Sequence, residues 1–353
     1  MHRPTVEVYE REGEGYAARR GIQRPERTRA FASAVAGLRL DLGCGPGHHL
    51  GLLGRPAVAV DAAGAMARAA AAHAPAVQAD LARLPFGDRS FDGIWASKAH
   101  QHLPAAELPA ALAEAHRVLR PGGRLDLTLF PSAEGAPTSE EVTRPGADDL
   151  PGRLFTWWDP AHLATVLEAA GFSIDRCEAG RWLDVTATAA RALPDHVGPD
   201  LRLLCCGLNP SLHAADAGVG YVTGSNRFWR AMARAGLATR DRDPRHLLHV
   251  DRIGMTDLVK RPTARADEVA PGEFRAGLVR LEALCAWLRP EAVAMVGLQG
   301  WRAAVDRRAT VGWQPRDLGG SPVYVLPSTS GLNAGTSLDD LVAHLQVAAS
   351  GVR

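Results

Sequence analysis

The sequence predicts an α/β protein built from two different domains, and three observations carry that expectation. The chain has 353 residues, more than the ~100 to 200 that usually make one domain. From about Gly37 onward, short apolar runs alternate with Ala- and Leu-rich amphipathic segments, the order that βαβ units leave in a sequence. Around Ala187 to Pro199 the alternation dissolves into a stretch containing Pro and Gly, and a second alternation begins at LRLLCCGLNP. The expected division is therefore a domain of residues 1–188, a linker of residues 189–199 and a domain of residues 200–353. Neither half repeats the other at a fixed period, which excludes an internal duplication.

Taken in order, LRLDL, VAVD, VQAD, FDGIWAS and GRLDLTLF are expected as the strands of the first half, with helices between them. In the second half the expected elements are a strand at LRLLCCG, a helix near SNRFWRAMARAGL and a strand near HLLHV. A helix from Glu273 to Leu288, strands at AVAMVG and PVYVLPS, and a terminal helix starting near Ser337 complete the set.

Composition bounds the function. Apolar residues make up 46% of the chain, enough for packed cores and against intrinsic disorder. No apolar run approaches ~18 residues, and the N-terminus is charged where a signal peptide needs an apolar core, so a soluble, cytoplasmic protein with no membrane partner is expected. The five cysteines are odd in number and fall into no CxxC or Cys/His spacing, which argues against a disulfide framework, zinc or an iron–sulfur cluster. A net charge of +1 does not announce nucleic-acid binding by itself, although the second half is mildly basic and the first mildly acidic. Arg greatly outnumbers Lys, with Lys98 and Lys260 the only lysines.

The glycine loop DLGCGPG, Asp41 to Gly47, follows an apolar strand and precedes a helix, where backbone N–H groups turn toward a ligand. Gly43, Gly45 and Gly47 give GxGxG, with His48 where the third glycine of a dinucleotide loop would stand. This pattern resembles the S-adenosylmethionine-dependent methyltransferases of the Rossmann-like class, over roughly Val6 to Thr188. The resemblance implies S-adenosyl-L-methionine as cofactor, held by Asp41, Gly43, Gly45 and Gly47, by Asp61 at the end of the second strand on the ribose hydroxyls, and by Asp80 near the adenine. Amino-directed DNA methyltransferases carry an Asn/Asp-Pro-Pro-aromatic signature after the fourth strand; ASKAHQHLP stands here instead, so base methylation of that type is disfavoured. His100, His102 and the FTWW run, Phe155 to Trp158, are candidates for an acceptor pocket or for core, and the methyl acceptor itself is not legible.

In the second half CGLNPS, GYVTGSNRFWRAMARAGL, TDLVKRPT and VLPSTSGLNA occur in order between Leu201 and Ala348. Together they resemble the mismatch-specific branch of the uracil-DNA glycosylase superfamily, which implies an α/β/α fold, double-stranded DNA with a mismatched or damaged base as partner, no cofactor for this domain, and base-excision repair. Breaking an N-glycosidic bond builds positive charge on the sugar and negative charge on the base, so a held water and donors toward the base are required. By the resemblance Asn209 positions that water, although an Asn-Pro pair also starts a turn by itself; Asn cannot ionise, so turnover is expected to be modest. Tyr221 stands where the family stacks an aromatic ring on the extruded base. Leu332 is the expected wedge filling the gap left in the duplex, with Gly331 and Asn333 beside the orphaned guanine and Ser211 and Ser330 completing the substrate-facing set. Asn226 and Arg227 are expected to secure the loop, and Phe228 and Trp229 to enter the core.

Departures from the family pattern are Ser211 where Gly is common, Ser328-Thr329 where several relatives have Asn-Pro, and Leu298 where relatives often have Lys. They leave uracil opposite guanine as the safest substrate, ahead of thymine and etheno-cytosine. Arginines 227, 261 and 265 are expected at phosphates, and Lys260 is not expected as a Schiff-base nucleophile. The overall expectation is a Rossmann-like methyltransferase fold fused to a uracil-DNA glycosylase-like α/β/α fold. The rival from another class is a small-molecule methyltransferase whose second domain only binds nucleic acid.

Overall fold

A computed structural model describes residues 1–133, 135–143 and 149–351. The chain forms two units, Met1–Ala190 and Arg191–Arg353.

In the first unit, after helices Arg3–Arg19 and Pro25–Ala34, the described strands are β1 (Arg39–Leu42), β2 (Ala57–Asp61), β3 (Ala76–Gln78), β4 (Phe91–Ser97), β5 (Leu119–Pro131), β6 (Thr138–Val142), β7 (Arg153–Trp158), β8 (Phe172–Ala179) and β9 (Leu183–Ala189). Five run parallel in the order β3-β2-β1-β4-β5, and β9 joins β5 antiparallel with β8 outside it. All four residues of β1 are buried, as a central parallel strand covered on both faces requires; Leu40 and Leu42 are core, and the buried Arg39 donates to the carbonyls of Ala32 and Val35. The chain runs from β1 outward through β2 and β3, then returns to β4 on the other side. That reversal opens a crevice beyond the carboxyl ends of β1 and β4. A hairpin of β6 and β7 is pinned to the far end of β5 through Phe130 and Trp157.

The second unit holds β10 (Leu203–Gly207), β11 (Ile253–Asp257), β12 (Val293–Val296), β13 (Gly312–Trp313) and β14 (Val323–Leu326). The order is β11-β10-β12-β14, all parallel, with β13 antiparallel on the β14 edge. Helices Phe228–Arg234 and Leu338–Ala349 bury Phe228, Trp229, Met232, Leu341 and Leu345 in one core with β10 and β14 residues. Here too the strand order reverses about the first strand, so the carboxyl ends of β10 and β12 face a crevice.

Two expectations need correction. The HLLHV segment is not a strand: Pro244–His249 is a helix, started by Pro244 at its first turn and by the Asp243 carboxylate accepting from His246 N–H at 2.9 Å, and the strand follows at Ile253–Asp257. The stretch 189–199, expected as a linker, is structured. Ala189 ends β9, His196 bridges to Met255, and Asp195 is buried among Thr256, Lys260 and Arg280.

Candidate functional site

In the second unit the carboxyl ends of the four parallel strands line a cavity of about 350 Å³ that contains Asn209, Asp257, Val296 and Ser328. Asn209 lies two residues past β10. Its Nδ2 donates to Thr263 Oγ1 at 2.8 Å and to the carbonyls of Pro210 and Arg261, each at 3.2 Å. Thr263 Oγ1 in turn donates to Arg265 O at 2.7 Å, so it can only accept from Asn209. Three acceptors on one side fix the amide orientation through the network. Oδ1 is left as an acceptor with no protein donor among the described residues.

Tyr221 adopts a left-handed backbone, φ 56°, and its ring lies 4.1 Å from that of Phe228 at 22°, a stacked pair. Its hydroxyl is buried without a partner, and burial, with Asp257 next, holds its pKa well above the ordinary value. The Asp257 carboxylate converges on the same place: a Cβ on Gly207 would lie 2.2 Å from Asp257 Oδ1 and 2.8 Å from the Tyr221 hydroxyl. Burial pushes Asp257 up to about 6, reinforced by Asp195 and opposed by Lys260 and Arg280. Asp257 lies within the TDLVKRPT motif, where the resemblance implies no role for it. The signal was present, since a carboxylate at a strand end is what singled out Asp61.

The segment 328–336 forms one wall and its rim. Arg227 ties it down, donating to Ser330 O at 3.1 Å, Asn333 O at 2.8 Å and Thr336 O, while its own N–H reaches Thr329 O at 2.9 Å. Arg227 therefore secures the loop, and the expectation that it contacts phosphate is corrected: its guanidinium is turned to loop carbonyls. Gly331 is packed so closely on the turn before that helix that a Cβ would come within 2.8 Å of Ser225 O. Asn333 Nδ2 donates back to Ser328 O at 2.9 Å and to Thr336 Oγ1 at 3.1 Å. Leu332, at the tip of this braced loop, is 96% exposed. A single exposed leucine is ordinary in itself; this one is set apart by its place on a loop tied down by Arg227 and Asn333.

Asn209, Ser211, Tyr221 and Ser330 line the cavity together; Gly331, Leu332 and Asn333 lie beyond it on the loop. Ser211 caps the short helix Leu212–Ala217 through Ala214 N–H, and Ser330 Oγ accepts from Leu332 N–H at 3.3 Å. Arg261 and Arg265 are paired on the surface with Glu273 and Asp267. Lys260 donates to Asp195 at 2.6 Å and to Leu193 O at 2.7 Å, a paired ammonium and not a nucleophile.

In the first unit a second cavity, about 370 Å³, opens at the β1/β4 crevice. A Cβ on Gly43, at φ 76°, would overlap Ala99 at 2.0 Å, whereas at Gly45 it would meet nothing within 4 Å, so the loop presses on β4 and leaves its tip open. Asp61 accepts from Gly45 N–H at 2.8 Å and Ala63 N–H at 2.9 Å, which fixes both oxygens and leaves each a lone pair. Burial raises Asp61 to about 6 and Asp41, beside it, to about 8. Asp41 Oδ2 is buried without a partner. Gly43, Gly45, Asp41, Asp61 and Asp80 all line this cavity; Gly47 sits behind, against Ala70.

Tyr16, Arg20, Lys98, Phe130, Phe155 and Trp182 line the same cavity. His102 belongs to this wall, held by Leu154 O at 2.7 Å on Nδ1 and by the Tyr9 hydroxyl at 3.0 Å on Nε2; burial lowers it to about 4. His100 is completely buried and outside the cavity. Of the FTWW run only Phe155 reaches the cavity, while Trp158 is core.

Residues 40–127 match the family model for a methyltransferase domain, and residues 194–348 match that of the uracil DNA glycosylase superfamily. Among solved structures the chain is similar to a 1,6-didemethyltoxoflavin-N1-methyltransferase of Burkholderia thailandensis, with 22% identity over 53% of this chain and 88% of that one and a TM-score of 0.44. It is also similar to an S-adenosylmethionine-dependent methyltransferase from Mesorhizobium loti, with 20% identity over 46% and 96% of the two chains and a TM-score of 0.39. A glycopeptide N-methyltransferase complexed with S-adenosyl-L-methionine matches at 21% identity over 47% and 87%, with a TM-score of 0.38.

Proposed function

We propose, for a chain that joins a methyltransferase domain to a uracil DNA glycosylase superfamily domain, that the second unit excises uracil opposite guanine from double-stranded DNA and that the first is an S-adenosyl-L-methionine-dependent methyltransferase. The observation that carries the glycosylase is the locked amide of Asn209 on the cavity wall, with Nδ2 fully engaged and Oδ1 without a protein donor among the described residues. Oδ1 accepts a hydrogen bond from a water, which attacks the sugar carbon as the glycosidic electron pair leaves with the base; the water's proton passes to solvent. Asn209 orients that water and takes no proton, so excision is slow. Tyr221 walls the base pocket, Ser211 and Ser330 line it, and the exposed Leu332, held by Gly331 and Asn333 on either side, enters the duplex in place of the extruded nucleotide. Thymine and etheno-cytosine opposite guanine are the next substrates in order.

In the first unit the residues present fit the cofactor. Asp41 keeps a buried oxygen without a partner, Asp61 retains two lone pairs where ribose hydroxyls would donate, Gly45 leaves an open cradle, and Gly43, Gly47 and Asp80 shape its edge. S-adenosyl-L-methionine, when bound, supplies a methyl group carried on a sulfonium.

The test is alkaline cleavage of labelled duplexes holding a single G:U, G:T or A:U pair, with wild type and Asn209→Ala compared. Release at G:U that disappears in the variant supports the glycosylase and orders its substrates. Absence of release from any duplex by folded protein overturns it and leaves a methyltransferase with a nucleic-acid-binding second domain.

A further inference from the structure

The cavity of the first unit is lined by two charge clusters and by aromatic rings. Asp41 and Asp61 neighbour each other, Lys98 has Arg20, Arg24 and Arg181 as charged neighbours, and Tyr16, Phe130 and Phe155 line the same cavity. The basic cluster is poorly neutralised. Arg20 has Asp149 at 2.5 Å, and Arg24 and Arg27, just behind, share Asp184. Lys98 and Arg181 have no carboxylate partner among the described residues; both lie over the Trp182 ring, at 4.7 and 5.5 Å from its centroid. Lys98 follows β4 directly in a left-handed conformation, φ 62°, that brings its ammonium into the cavity beside Gln23. Burial first, and then the neighbouring Arg20, Arg24 and Arg181, lower it to about 8.

We propose that this basic cluster forms a binding subsite for a small planar anion, an aromatic carboxylate in class, whose ring lies against the Tyr16–Phe130–Phe155 wall and whose charge meets Lys98 and Arg181. It rests on the methyltransferase reading for its meaning, because a ligand there occupies the place of a methyl acceptor in the cavity that holds the cofactor. The amino acids that make it, a half-buried lysine and a guanidinium flanking an indole, suit a carboxylate better than a neutral ring: each N–H donor gains from a charged acceptor, and the aromatic side chains limit competing water.

The experiment is calorimetric titration of the full chain with 2-naphthoate and with its neutral isostere 2-naphthamide, each with and without saturating S-adenosylhomocysteine. The acid is expected to bind about tenfold tighter than the amide or better. That preference should vanish in Lys98→Met and Arg181→Met proteins whose circular dichroism and melting are unchanged. Equal binding of acid and amide, no binding of either to folded protein, or a preference that survives both substitutions overturns the subsite. If S-adenosylhomocysteine itself gives no heat while the acid preference persists without it, the cofactor reading fails and the subsite stands.

Discussion

Asn209 and Thr263 are joined by a hydrogen bond of 2.8 Å that decides which end of the Asn209 amide faces the cavity. Because Thr263 is committed as a donor to Arg265 O, the amide cannot turn over without setting acceptor against acceptor. Asn209→Ala is expected to lower single-turnover excision at G:U on the order of 10²-fold or more. Thr263→Val, which keeps the shape and removes the lock, is expected to lower it about tenfold with little change in KM. Full activity in Thr263→Val would show that the orientation of the amide does not matter.

The loop bearing Leu332 separates function from stability. Leu332→Ala removes a side chain that touches almost nothing in the folded chain, so the unfolding free energy should change by less than about 0.5 kcal/mol. Excision from duplex should drop about tenfold while excision from a uracil-containing single strand is unchanged, since only the duplex has a gap to fill. Arg227→Met frees the loop from three carbonyls and is expected to produce the same duplex-specific loss together with a lower melting temperature. An equal loss on both substrates for Leu332→Ala would remove the wedge from the mechanism.

Asp257 sets a pH dependence. Its folded pKa, about 6, exceeds the ordinary 3.8, so the fold favours the protonated form. The penalty for ionisation is absent below pH ~4, grows as pH rises, and is complete above ~6. Asp257→Asn is therefore expected to stabilise the protein at pH 8 by about 1 to 3 kcal/mol, and the gap should close near pH 4. A carboxylate lining the cavity also repels the negative charge that develops on a departing base. The variant should then excise uracil about tenfold faster at pH 8 and approach the wild-type rate at pH 5. A variant slower than wild type, with a ratio that does not vary with pH, would show that Asp257 serves the base in its ionised form.

In the first unit Asp61 organises the glycine loop and lines the cavity. Asp61→Ala removes the acceptor for Gly45 and Ala63 N–H together with the carboxylate proposed to hold the ribose hydroxyls, so S-adenosyl-L-methionine affinity should fall more than about tenfold by calorimetry. Asp61→Asn keeps one acceptor oxygen and should fall less. Unchanged affinity in both would place the cofactor elsewhere.

The sequence by itself determined the two α/β halves, the β1 glycine loop and the strand-end acids, because these follow from local rules: two-sided burial gives continuous apolar strands, and a turn at a strand end selects glycine. Asn209, Tyr221 and Leu332 enter as candidates through the resemblance carried by four motifs of the second half, each a contiguous segment. One local signal was misjudged: Asp243-Pro244 starts a helix where HLLHV suggested a strand, the cap outweighing an apolar run too short to have a period of its own. What only the tertiary structure decided is which groups from distant segments share one space. Thr263 fixes Asn209 across 54 positions, Arg227 braces Ser330 across 103, and Asp257 meets Tyr221 beside Gly207. The pairing of Lys98 with Arg181 on Trp182 belongs here too. Chain order carries no information about such meetings, because a parallel sheet with crossover helices gathers the carboxyl ends of strands far apart in sequence, and the charge and burial they find there are set by the assembled neighbours.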